Sequence, residues 1–123
     1  MKIEELISRI RNGERVAFED TVRAIDAAYR YTPTGFTNGL GEDAVQNPPG
    51  VSEGSCKIFS FARLHELTEA ETLALFGDHF WKDVLENPQG DDHCNIRTFM
   101  KHGWSGIHFE GPALAPRIPE RDA

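Results

Sequence analysis

Ile3, Leu6, Ile7 and Ile10 fall at i, i+3, i+4 and i+7. That spacing predicts a short amphipathic helix, and Asn12-Gly13 supplies its stop. Phe18, Val22, Ile25 and Tyr29 repeat the stripe, with Glu19 and Asp20 near the start, where the helix dipole favours them. Thr32-Pro33 ends this second helix, because the residue before a proline resists the α region. From Ser55 to about Leu67 the chain is apolar almost all round, the pattern of a buried helix. Thr68 and Glu71 then form the signature of a capping box. They open a predicted long helix with Leu73, Phe76, Phe80 and Val84 on one face and Trp81 beside it. Gly77 sits mid-helix, which costs about 1 kcal/mol against alanine and points to close approach of another backbone. Asn87-Pro88-Gln89-Gly90 breaks this helix. Asp91 or Asp92 caps a last short one carrying Ile96, Phe99 and Met100, with Gly103 as terminator.

The rest of the chain is less periodic. Gly35 to Gly39 reads as a small strand or structured loop, and Ser105 to Phe109 as a strand that pairs with it. Leu40 to Val51 carries Gly41, Pro48, Pro49 and Gly50 and reads as a mobile loop of the kind that is often functional. The tail from Gly111 holds Pro112, Pro116 and Pro119 and little apolar mass, so it is expected to be loosely held. The resulting expectation is a mainly α domain of about five helices with a short two-stranded β element. It spans residues 1–111, with a loosely ordered proline-containing tail over 112–123.

Composition narrows the function classes. A length of 123 residues suits one domain, and a hydrophobic fraction of 39% is enough for a core. The net charge of −7 argues against nucleic acid and anionic membranes as partners, since both need a basic footprint. No apolar run reaches membrane-spanning length. Met1-Lys2-Ile3 leads directly into Glu4-Glu5 with no signal-peptide core. Two cysteines make no disulfide framework, so a reduced cytosolic setting is expected.

Candidate chemistry centres on Cys56. It follows the small turn Ser52-Glu53-Gly54-Ser55 and opens an apolar helix, where the dipole favours a thiolate. Cysteine-dependent hydrolysis or acyl transfer would use Cys56 as nucleophile, His93 as base and Asn95 as orienting group, with the Ser55 and Cys56 amides as oxyanion donors. The competing reading is a small buried hydrophobe. His93, in Asp91-Asp92-His93-Cys94-Asn95-Ile96-Arg97, fits a general base or a metal ligand, against packing at a helix start. Arg97 is placed to pair with an aspartate. A metal site from Cys56, His93 and Cys94 matches no Cys/His zinc spacing, so no metal and no cofactor are expected. His65, His79, His102 and His108 read as surface or boundary residues. Tyr31, Phe36 and Asn38, with Glu53, Ser55 and Arg97, form a candidate ligand-binding set of aromatic and polar groups. The expected cleft borders the 40–51 loop.

Several segments taken together resemble the HopJ-type type III effector family. They are Tyr31-Thr32-Pro33-Thr34-Gly35-Phe36-Thr37-Asn38-Gly39, Glu53-Gly54-Ser55-Cys56-Lys57-Ile58-Phe59, Leu73-Ala74-Leu75-Phe76-Gly77, Asp92-His93-Cys94-Asn95-Ile96-Arg97-Thr98-Phe99-Met100 and Gly103-Trp104-Ser105-Gly106-Ile107. The resemblance runs from about residue 15 to 114. It implies a small protein of the bacterial cytoplasm that is either an effector injected into host cells by a type III system or an effector-related bacterial protein. The function expected is binding of a host or bacterial protein or a small ligand. Cysteine-dependent catalysis and a purely structural scaffold are the alternatives. The resemblance assigns no catalytic role to any residue.

Overall fold

The computed structural model describes residues 1–117. Helix α1 (Ile3–Arg11) turns Ile3, Leu6 and Ile10 inward. Helix α2 (Phe18–Ala28) buries Thr21, Ala24 and Ile25 and stops five residues before Pro33. Tyr29 leaves the predicted helical stripe and opens strand β1 (Tyr29–Tyr31). Strands β2 (Phe36–Asn38) and β3 (Val45–Asn47) follow. Helix α3 (Glu53–Leu64) runs through the centre of the molecule, with Cys56 and Ile58 to Ala62 all buried. Around it lie α4 (Glu69–Ala74), a π-helical turn (His79–Val84) and α5 (Cys94–His102). Strands β4 (His108–Phe109) and β5 (Leu114–Pro116) complete the fold, and two short 3₁₀ turns cover Gly41–Asp43 and Gly103–Gly106.

The expectation of a mainly α fold with one two-stranded element is overturned. Five strands form two antiparallel sheets, so the fold is α+β. One sheet pairs β1 with β5, Tyr29 opposite Pro116 and Tyr31 opposite Leu114. The other has the order β3-β2-β4, with Phe36 opposite both Asn47 and Phe109. The pairing of the Phe36 segment with His108-Phe109 follows the sequence reading. The third strand lies inside the stretch read as a mobile loop. The boundary drawn at residue 111 falls just before β5, where Ala113 and Leu114 are buried against the core. Residues 118–123 of that tail lie outside the described residues.

The single long helix expected after Thr68 is also two pieces. The capping box is present: the Thr68 hydroxyl accepts from the Glu71 amide, and the Thr68 amide donates to Glu71 Oε1. The α-helix nevertheless ends at Ala74, because Gly77 takes φ +61°, outside the helical range. A Cβ at Gly77 would stand 2.7 Å from the Phe18 nitrogen and 2.9 Å from the Val16 oxygen. The backbone approach expected at this glycine therefore exists, together with a turn that separates α4 from the π-helix.

Phe59 on α3 is the hub of the core. Its ring meets Phe99 at 4.9 Å, Phe76 at 5.5 Å and Phe36 at 6.0 Å between centroids, so α5, the turn after α4 and one sheet pack on one side chain. That packing ties α5 to α3 through the rings of Phe59 and Phe99.

Candidate functional site

A cleft of about 300 Å³ opens where α3 and α5 begin. Ser52, Gly54 and Ser55 line it from the start of α3, and His93, Cys94, Asn95 and Ile96 from the start of α5; Phe18, Phe76 and His79 complete the wall. The first four amides of any helix lack an intrahelical acceptor. Neither N-cap residue here, Ser52 or His93, makes a side-chain cap. Both instead have left-handed backbone, φ +56° and +50°. Only three non-glycine residues among those described do so, the third being Glu66. Such backbone is uncommon outside glycine and clusters at functional sites.

The start of α5 is held from two sides. Behind it, three buried asparagines interlock: Asn38 Nδ2 donates to the Asn95 backbone oxygen at 2.9 Å and to Asn95 Oδ1 at 3.0 Å. Asn95 Nδ2 donates to Asn47 Oδ1 at 2.9 Å, and Asn47 Nδ2 donates to Asn95 Oδ1 at 3.2 Å. A buried amide network of this kind fixes orientation, because each lost partner leaves a desolvated polar group. In front, Arg97 donates to the Asp92 carboxylate and backbone oxygen, both at 2.6 Å, and to the Asn87 oxygen at 2.9 Å. That clasp folds the Asn87–Asp92 loop so that His93 meets the π-helix.

His93 Nε2 lies 2.9 Å from Asp83 Oδ2, and His79 Nδ1 lies 3.4 Å from the same oxygen. The hydrogen bond from His93, with a second from His79, holds the Asp83 carboxyl below its usual pKa. The rings of His79 and His93 stand 4.8 Å apart, and the edge of Phe18 packs on His79 at 4.7 Å. The sequence singled out His93 but assigned its acidic neighbours as Asp91 and Asp92. Asp92 is taken by Arg97, which lowers its pKa, and stands 3.9 Å from His93. Asp83 and His79 were missed as partners. Their spacing of four residues on one helical segment was the available signal.

The other predicted residues occupy different places. Cys56 is completely buried, its thiol directed at the Thr34 carbonyl oxygen at 3.5 Å. Burial raises its pKa. Tyr31 lies against it, and burial, then the neighbouring thiol and Glu53, raise the phenol's pKa. Tyr31, Glu53 and Cys56 thus form one cluster, while His93, Ser55 and Asn95 belong to the cleft. No hydrogen bond joins Cys56 to His93 among the described residues. Phe36 is core, Asn38 belongs to the amide network and Arg97 is engaged in its clasp. The 40–51 segment does not line the cleft; it supplies Asn47 from behind. Both cysteines are free, Cys94 being exposed.

The HopJ type III effector protein family, compared as a sequence model, matches residues 3–114. The chain belongs to the HopJ family. The match runs from the first residue of α1 to the first of β5 and contains every residue lining the cleft. The HopJ fold also appears in a crystal structure of VPA0580, described as a protein of unknown function. It is 41% identical over 95% of each chain, with a TM-score of 0.89. No curated protein matches the sequence. Among the described residues no helix is long and apolar enough to cross a membrane.

Proposed function

We propose that this HopJ chain works by binding, and that its site is the cleft between α3, α5 and the π-helix, which takes a small anionic ligand. The observation that carries this reading is the convergence of two imidazoles and the first turns of two uncapped helices on one opening of about 300 Å³. Helix first turns offer unpaired N–H groups and the positive end of a dipole, and imidazoles add ring N–H donors. The net charge of −7 gives the molecule no general attraction for anions, so selection falls to these local groups. The π-helical turn beside the cleft supports the same reading, since such turns occur frequently at functional sites. Family membership supports synthesis in bacteria and delivery to a host by type III secretion, with the ligand met in either compartment.

An NMR titration of the ¹⁵N-labelled chain with inorganic phosphate tests the site. Saturating shifts are expected at the Gly54, Ser55, Cys94 and Asn95 amides. Ser55→Glu places a carboxylate at the start of α3, where the dipole stabilises it, and is expected to abolish the shifts while the fold persists. Absence of saturation up to about 50 mM phosphate, or unchanged shifts in the folded Ser55→Glu variant, would refute the reading.

A further inference from the structure

Three side chains in and beside the cleft wall come from two separate elements and present nitrogen and oxygen atoms to one point. His79 and Asp83 stand four residues apart on the π-helical turn, and His93 is the N-cap of α5. Their potential ligand atoms all lie within 4.8 Å of one another. A tetrahedral zinc ion with bonds of about 2.0–2.2 Å sets its ligands roughly 3.4 Å apart, and opposite ligands of an octahedral ion stand roughly 4.2 Å apart. The 2.9 and 3.4 Å separations from Asp83 Oδ2 fall near the first value. The widest separation the trio allows exceeds the second by roughly half an ångström, within reach of side chains that are exposed or half-buried.

We propose that His79, Asp83 and His93 bind one divalent first-row transition ion, with zinc as the reference case. Two imidazoles and a carboxylate are a donor set that suits zinc, iron, cobalt and nickel, and three protein ligands leave at least one coordination position open. The site is also pre-organised. Phe18 packs on the edge of His79. Arg97 clasps the loop before His93 and reaches the Asp83 backbone oxygen at 3.4 Å. His93 has left-handed backbone and stands 2.9 Å from Asp83 Oδ2.

The inference does not rest on the anionic ligand proposed above. An ion at this place presents its open position beside the residues that line the cleft, so an anion entering would meet a metal rather than two imidazoles.

The test is a calorimetric titration of the full chain, stripped with EDTA and held in a buffer free of phosphate, with Zn²⁺. The same titration with Co²⁺ is followed by its visible absorption. Uptake of one ion per chain is expected, with a Kd of about 10 μM or tighter. Asp83→Ala and His79→Gln should each weaken binding by at least about tenfold. So should His93→Asn, in which asparagine tolerates the left-handed backbone. His108→Gln, on β4 and remote from the cleft wall, should bind as the parent does. Circular dichroism without metal identifies the variants that keep the fold. The proposal is overturned if the parent shows no saturable uptake below about 100 μM, or if the folded Asp83→Ala and His79→Gln variants bind as tightly as the parent. Because phosphate is absent, the result is independent of the phosphate titration.

Discussion

Two influences act on the Cys56 thiol in opposite directions. Its place in the first turn of α3 favours the thiolate through the helix dipole. Complete burial favours the thiol, and burial wins, raising the pKa. A thiol that donates to the Thr34 carbonyl is satisfied in its protonated form. Cys94 lies at a helix start too, but is exposed. Iodoacetamide at neutral pH is therefore expected to alkylate Cys94 alone, Cys56 reacting only after denaturation. Mass spectrometry of the native and urea-treated protein reads this directly, and rapid native labelling of Cys56 would contradict the burial argument. The residue scale also shows what the sequence could and could not disclose. His93 stood out because aspartates flank it, yet its partner is Asp83, ten residues earlier, brought close by a loop that Arg97 ties down. Adjacency in sequence pointed to Asp91 and Asp92, whereas the 2.9 Å contact of His93 is with Asp83.

At the scale of elements, local signals with a backbone mechanism were legible. The Thr68–Glu71 capping box and the stripe on α1 both follow from spacing alone. The three-residue strands were not, because alternation cannot register over so few positions, and their stability comes from partners far along the chain. Gly77 is the instructive intermediate. Its sequence position inside an apolar periodicity argued for helix continuation, whereas its φ of +61° and the Val16-Ala17-Phe18 backbone pressed against it make it a break. Gly13 also has positive φ, +82°, but has nothing within 4 Å of where a Cβ would sit. Gly13→Ala should therefore cost only the left-handed backbone term, about 1–2 kcal/mol. Gly77→Ala should cost at least about 1 kcal/mol more, since backbone rather than a flexible side chain must move. Urea unfolding of the two variants side by side decides it; equal losses would mean that the contact with the α2 entrance relaxes freely. The same break positions the cleft, because the π-helical turn that begins at His79 starts only after Gly77 has redirected the chain.

For the molecule as a whole, β1 and β5 join the N-terminal half to the C-terminal end, which is why a segment with few apolar residues still buries Ala113 and Leu114. Charge then sets the range of pH over which this assembly holds. Asp83 and Asp92, through His93 and Arg97, Asp43 through Lys101 and His102, and Glu71 through the Thr68 amide all have pKa values lowered on folding. A carboxylate of this kind contributes stability that is complete above its unfolded value, 3.8 for aspartate and 4.5 for glutamate here, and is lost as pH falls through the folded value. His65 is lowered by burial from 6.5, so its contribution is complete above that value and is lost as pH falls below it, ahead of the carboxylates. Cys56, Tyr29 and Tyr31 are raised by burial from 9.0 and 10.0, so what they contribute is complete below those values and is lost as pH rises beyond them. The urea midpoint is accordingly expected to be flat between about pH 7 and pH 8.5, to fall in two stages below about pH 6.5, and to fall again above about pH 9. His65 accepts or donates a 2.6 Å hydrogen bond with the Tyr29 hydroxyl, so the first acid stage can be isolated by removing the imidazole. His65→Gln should delete that stage and move the onset of acid loss down toward pH 5, leaving the carboxylate stage in place. A parent protein as stable at pH 4 as at pH 7, or a His65→Gln variant with an unchanged acid limb, would show that burial of the imidazole does not set the upper acid boundary of this fold.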